Sequence, residues 1–181
     1  MPEAGHKLIN KYRMLGPKST STHKGIPHMD AFDTKRYLGK WYEAARTAAI
    51  PFQKGDYVTA TYTLKENGKI DVFNEEKRSD GKIHSARGEA VPDSTGVPGR
   101  LTVKFDNFFA RLFPGHYMVL ETDYDNYSLV YSPFSFLFFK RRYAWILVRD
   151  VPVEKELLES LFQRMEEYTG LTKSDFRITE Q

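Results

Sequence analysis

Bond-making chemistry finds little footing in this sequence. A hydrolytic centre needs a nucleophile, a base and a group that orients the base. No Gly-x-Ser-x-Gly occurs, and His84 and His116 fall in strand-like stretches with no nucleophile in phase. Glu75 and Glu76 are adjacent, so in a strand they point to opposite faces and cannot share a proton. Gly96-Val97-Pro98-Gly99 reads as a turn, not as a loop that cradles phosphate. The chain has no cysteine, which excludes disulfides, thiol catalysis, cysteine-zinc sites and lipid attachment to a cysteine. His23 and His28 are too sparse to make a metal site, and neither a metal nor a cofactor is expected. What remains is non-covalent: the binding of an apolar molecule by small and aromatic residues that alternate along strands.

The elements that would position such residues are short strands separated by turns. Candidate strands are 40–47, 56–64, 69–77, 82–91, 100–106, 115–121, 126–132 and 142–150. Glu66-Asn67-Gly68 and Ser79-Asp80-Gly81 supply hairpin turn residues. Successive hairpins without intervening helices predict an all-β, eight-stranded antiparallel up-and-down barrel. One helix follows, with Pro152 in its first turn, Gly170 at its end, and Leu157, Leu158, Leu161, Met165 and Tyr168 on one face. It is expected to pack outside the barrel, and Phe176-Arg177-Ile178 to add an edge strand.

Charge divides the chain in two. Residues 1–29 carry Lys7, Lys11, Arg13, Lys18 and Lys24 against Glu3, a net +4, and read as a disordered basic tail. Residues 30–181 hold 22 basic and 23 acidic residues and form one near-neutral domain, which argues against nucleic acid as a partner. No apolar run is long enough to be read as a secretory signal or a membrane span. The expected location is the cytoplasm or a membrane periphery, with organelle targeting by the basic segment as the alternative. Asn126-Tyr127-Ser128 fits the glycosylation pattern but is expected to go unused without a secretory signal.

Three motifs stand in order along the domain: Gly39-Lys40-Trp41-Tyr42-Glu43 at the head of the first strand, Thr122-Asp123-Tyr124 between the sixth and seventh, and Arg149 on the last. Together they resemble the lipocalin family over residues 32–179, and within it the bacterial outer-membrane, plant temperature-induced and apolipoprotein D group. The resemblance implies a non-enzymatic carrier of a hydrophobic ligand, with a stress-response role in that group. It also implies that Gly39, Trp41, Thr122, Asp123, Tyr124 and Arg149 close the barrel and do not touch ligand. The family's cysteine-dependent isomerase chemistry is excluded here. A pigment or haem carrier, or an enzyme acting on a lipid or pigment, is the alternative reading.

With Trp41 and Arg149 as anchors, alternation assigns the inner face. The expected ligand-binding residues are Glu43, Ala45, Val58, Ala60, Tyr62, Val72, Asn74, Ala86, Gly88, Val103, Phe105, Tyr117, Val119, Tyr143 and Trp145, with Glu121 also inward. Ala45, Ala60, Ala86 and Gly88 would leave volume unfilled, while Glu43, Tyr62, Asn74 and Tyr117 give polar points. That suits a fatty acid, a lysophospholipid or a similar lipid.

Two connections are unusually apolar for loops. One carries Phe108, Phe109, Leu112 and Phe113; the other, read as a loop over 133–142, carries Phe134, Phe136, Leu137, Phe138 and Phe139 followed by Lys140, Arg141 and Arg142. With Ile50-Pro51-Phe52 they would flank the mouth. Aromatics beside cations suit peripheral contact with a membrane, and a homodimer contact or a lid over the ligand are the competing readings.

Overall fold

Two short strands, β1 (Ser21–His23) and β2 (Ile26–His28), pair as a small hairpin ahead of the barrel. The computed structural model describes residues 15–16, 18–19, 21–23, 25–48, 50–106, 115–136 and 138–181. Asp33 then caps a single helical turn, α1 (Thr34–Tyr37), by accepting a hydrogen bond from Arg36 N. Gly39, at φ 93°, opens β3 (Gly39–Thr47); a Cβ there would be strained and would also press on Arg149 Nη1.

The chain continues through β4 (Asp56–Leu64), β5 (Ile70–Lys77), β6 (Ile83–Pro92), β7 (Arg100–Phe105), β8 (Gly115–Thr122), β9 (Tyr127–Phe136) and β10 (Phe139–Val148). Each strand is antiparallel to the one before, and β10 pairs back onto β3, from Trp145 opposite Arg46 to Val148 opposite Tyr42. The eight strands β3–β10 therefore form a closed antiparallel barrel. After α2 (Lys155–Thr169) and a 3-10 turn at Lys173–Asp175, β11 (Phe176–Ile178) pairs with β3 between Thr47 and Ala45.

Two apolar clusters lie on either side of the wall. Inside, Tyr37, Trp41, Tyr62, Ile70, Val72, Ala90, Leu101, Val103, Val119, Val130 and Leu147 pack together. Outside, Leu158, Leu161, Phe162 and Met165 of α2 cover Met118, Leu120, Leu129, Tyr131, Ala144, Ile146 and Val148. The expectation of an external helix holds, but Glu154 is its N-cap, and Pro152 lies in the preceding bend rather than in the first turn.

At the closed end, the Arg149 guanidinium lies 3.6 Å from the centre of the Trp41 ring. Its nitrogens donate to the carbonyls of Tyr124, Lys40 and Leu38 at 2.8–2.9 Å. Trp41 Nε1 donates to Tyr37 O at 2.9 Å. The β8–β9 connection is held by side chains: Thr122 Oγ1 donates to Tyr127 O and accepts from Tyr124 N, while Asp123 Oδ1 accepts from Asn126 N and Tyr127 N.

Three sequence expectations change. First, the β3–β10 register steps between Ile146 and Leu147, so Ala44 is an extra residue and the phase of β3 flips. Ala45, expected inside, pairs with Ile146 in the outer cluster, and Arg46 takes the inward position opposite Trp145. Second, β8 and β9 step between Val119 and Glu121, which turns Glu121 outward beneath α2. There it accepts from Tyr127 Oη, Tyr168 Oη and Arg164 Nη1. Third, most of 133–142 is not a loop. β9 and β10 run on as a hairpin to the pair Phe136–Phe139, because alternating aromatic residues suit a ladder better than an irregular connection.

Part of the basic segment lies on the barrel. Gly16 N donates to Tyr127 Oη and Ser19 N to Tyr168 Oη, and Lys18 pairs with Glu167. Leu15 and Ile26 pack against the outer cluster.

Trp41 is fully buried. Trp41→Ala is expected to cost about 3–5 kcal/mol through the lost packing and the emptied space under Arg149. Urea denaturation measures it, and a midpoint equal to the parent's would refute the closing role.

Candidate ligand-binding site

The barrel interior is best followed as rungs, each a row of residues paired across neighbouring strands. The rungs climb with the tilt of the strands: Leu64–Ile70–Ala90–Val103 and Gly39–Tyr62–Val72–Gly88–Phe105 start at the closed end and rise towards the mouth at β7, and Trp41–Ala60–Asn74–Ala86 runs on their mouth side. At the floor, hydroxyls join in a chain: Ser128 Oγ to Tyr37 Oη at 2.9 Å, Tyr37 Oη to Tyr117 Oη at 2.8 Å, and Tyr117 Oη to Tyr62 Oη at 2.9 Å. Burial pushes the Tyr37 phenol up to about 12 and those of Tyr62 and Tyr117 further still, so all three are neutral.

The interior is filled below and open above. Trp41, Tyr37, Ile70, Val72 and Ala90 are buried, as a packed core requires. Ala60, Asn74, Ala86, Phe105, Tyr117 and Trp145 carry inward-facing side chains yet are only half-buried. A filled barrel would bury them, so their exposure marks space reached from the mouth. Gly88 has a different reason to be small: a Cβ there would lie 2.4 Å from Lys104 O, so the glycine admits the close approach of β7. Its place in a cavity-forming set is corrected accordingly.

At the mouth end, Glu43 is buried and fully engaged. Oε1 accepts from Arg46 Nη1 and Thr179 Oγ1, and Oε2 from Gln53 Nε2. Gln53 Oε1 in turn accepts from Trp145 Nε1 at 3.0 Å. Burial pushes the Glu43 carboxyl pKa up, and the Arg46 guanidinium only partly offsets this. Glu43 therefore anchors the β3–β4 connection and is not a free contact for ligand. Glu76 does the same from β5, accepting from Gly55 N, Lys54 N and Arg78 Nε at 2.7–3.0 Å. Burial raises its pKa, but these donors outweigh it and hold the group below its ordinary value. Sequence reasoning missed Arg46, Gln53, Glu76 and Thr179. Only the bulge brings Arg46 inward, and no spacing rule announces it.

Around the opening, the Tyr143 ring lies 5.8 Å from Phe52, 6.4 Å from Phe134 and 6.5 Å from Trp145. Val58 is buried near the same end, its carbonyl accepting from Gln181 Nε2. Val119 and Val103 belong to the inner cluster. Phe138 sits at the hairpin tip, and Lys140, Arg141 and Arg142 are exposed along β10. Phe136 and Phe139 are placed by their backbone pairing. Phe108, Phe109, Leu112, Phe113 and Leu137 lie outside the described residues. Among the described residues, no group of three or more His, Asp or Glu side chains is placed to hold a metal ion.

The lipocalin-like domain family matches residues 32–181. The chain belongs to the lipocalin family. It is 43% identical to apolipoprotein D of Macaca fascicularis over 136 residues, covering 75% of this chain and 70% of that one. To the outer membrane lipoprotein Blc of Escherichia coli K12 it is 34% identical over 153 residues, 83% of this chain and 80% of the relative. The fold is shared with insecticyanin of Manduca sexta, at a TM-score of 0.71 and 19% identity over 92% of this chain and 88% of the other. Lobster apocrustacyanin A1 gives 0.69 and 23%, over 82% and 79%. Membership of this lipocalin family supports binding or transport of a small hydrophobic ligand.

Removing one partner of the buried pair tests the mouth. Glu43→Gln leaves Arg46 buried without a counter-charge and is expected to cost about 3–5 kcal/mol, whereas Glu43→Leu with Arg46→Met should recover most of it. Chemical denaturation of both variants decides; equal losses would show that the pair is not coupled.

Proposed function

We propose that this lipocalin is a non-catalytic carrier that holds a small lipid in the upper half of its barrel and exchanges it at a membrane surface. The observation that supports the cargo is the half-exposure of the inward side chains of Ala60, Asn74, Ala86, Phe105 and Trp145. An apolar cup with few polar points suits one acyl chain or a rigid apolar molecule.

The surface supports the second part. Phe52 (62% exposed), Ile83 (61%) and Phe138 (97%) stand at or beside three connections of the open end: β3–β4, β5–β6 and β9–β10. Exposed Lys54, Lys82, Lys140, Arg141 and Arg142 lie at the same end, with Asp80 beside Lys82. Aromatic residues dip to the acyl boundary while cations meet anionic headgroups at about 1 kcal/mol each, enough together for reversible attachment.

Ala86→Trp is expected to fill the cup and abolish quenching of intrinsic fluorescence by a brominated fatty acid, with the unfolding midpoint kept. A variant that binds as well as the parent would move the cargo elsewhere. Phe52→Ser with Phe138→Ser should still bind the soluble lipid but lose co-sedimentation with anionic vesicles. Raising salt should weaken the parent's attachment only in part, since the aromatic share is unscreened. Parent protein that ignores vesicles at every salt concentration, yet dimerises through these residues, would give the rim to a homodimer.

A further inference from the structure

The cavity carries two unmet hydrogen-bonding demands, and together they specify the polar end of the cargo. The first is in the hydroxyl chain. Ser128, Tyr37, Tyr117 and Tyr62 bring four hydroxyl protons to three contacts. Each contact uses one proton, so one has no acceptor within the chain. Ser128 and Tyr37 are sealed in the floor, whereas Tyr117 is half-buried on the cavity side. The spare donor is best met there, at Tyr117 or its neighbour Tyr62.

The second demand is on the wall. Asn74 Oδ1 is buried and has no hydrogen-bond partner. Asn74 is paired with Ala60, one rung above the pair of Tyr62 with Val72. Such diagonal neighbours on one face have backbones about 7–8 Å apart, so both side chains border the same part of the interior. An orphaned buried acceptor is costly, and a bound group that donates to it removes the cost.

The charge on this head group is also constrained. Glu43, Arg46 and Glu76 sit at the mouth end and satisfy one another or the β3–β4 connection. The rungs from Trp41–Ala60–Asn74–Ala86 downward contain no Lys, Arg, His, Asp or Glu. An anion placed there would meet Arg149 only across the Trp41 ring, with its nitrogens already donating to the carbonyls of Tyr124, Lys40 and Leu38.

Resting on the lipid-binding reading above, we infer that the barrel takes a neutral lipid bearing a hydroxyl, inserted head-down. Its oxygen accepts from the Tyr62–Tyr117 hydroxyls, its O–H donates to Asn74 Oδ1, and its apolar body extends towards Phe105, Trp145 and the aromatic mouth. A fatty acid enters this way only in its protonated form.

Calorimetric titration of the full chain with 1-decanol, decyl methyl ether and decanoate at pH 8 tests this. Decanol is expected to bind about 5–10-fold more tightly than the ether, which lacks the donor, and more tightly than decanoate. Asn74→Leu should erase the decanol–ether difference while the ether's affinity stays within about twofold. Tyr62→Phe with Tyr117→Phe should weaken decanol about 5–10-fold, with circular dichroism and the unfolding midpoint reporting the fold. If the double variant does not fold, the Asn74→Leu comparison alone decides. Equal binding of all three probes, unmoved by Asn74→Leu, would overturn the head-down orientation and leave the lipid-binding reading intact. Tighter binding of decanoate would do the same and put the head group at the mouth. No binding of any probe would remove the lipid-binding reading itself, and this inference with it.

Discussion

Closure of the barrel depends on one contact, the Arg149 guanidinium over the Trp41 indole. A guanidinium on tryptophan contributes about 0.5–2 kcal/mol by itself. Its larger role is to unite segments distant in sequence. The carbonyls of α1, of the start of β3 and of the β8–β9 connection all converge on one side chain. A lysine would keep the charge but could not serve so many acceptors from a planar fork. With that end fixed, β3 and β10 meet in register and the interior acquires a floor.

The interior and the helix interface share strands, and two bulges decide which residue serves which. One extra residue in β3 and one in β8 each shift the phase where the wall passes from lining the cavity to supporting α2. The two steps leave two carboxylates in different buried settings. Glu43 stays inside and binds Arg46, while Glu121 goes outside and binds Arg164. Such charges are tolerated because every oxygen finds donors.

Much of this was legible in the sequence. Strand positions, the closing trio and the external helix followed from alternation, turn residues and the spacing of the leucines, since each is a local pattern. Ala45 and Glu121 were misplaced because a bulge leaves no local mark: the residues on either side read as uninterrupted strand. The 133–142 stretch was misread for the opposite reason, as its composition suggested an apolar loop while its period-two aromatics fitted a ladder. Gly88 looked like empty volume, but its missing side chain answers to a backbone on the next strand. The engagement of Glu43 by Gln53 and Thr179 joins residues up to 136 positions apart, beyond any reading by spacing.

The helix backs only part of the barrel. Among the described contacts, α2 covers the outer faces of β8, β9, β10 and β3. The outer faces of β5 and β6 instead carry ion pairs, such as Lys69 with Glu89 and Arg87 with Asp71, and an Arg87 guanidinium over Phe73. Exposed pairs of this kind add little, and this side rests on the unbroken β5–β6 ladder from Ile70–Ala90 to Lys77–Ile83. The wall is therefore two layers thick on one side and a single sheet on the other. Asn74 and Ala86 line the inner face of the side that has no helix behind it. The orphaned acceptor of Asn74 therefore faces the interior from the single-layered half of the wall, while the hydroxyl of Ser128 reaches it from the double-layered half.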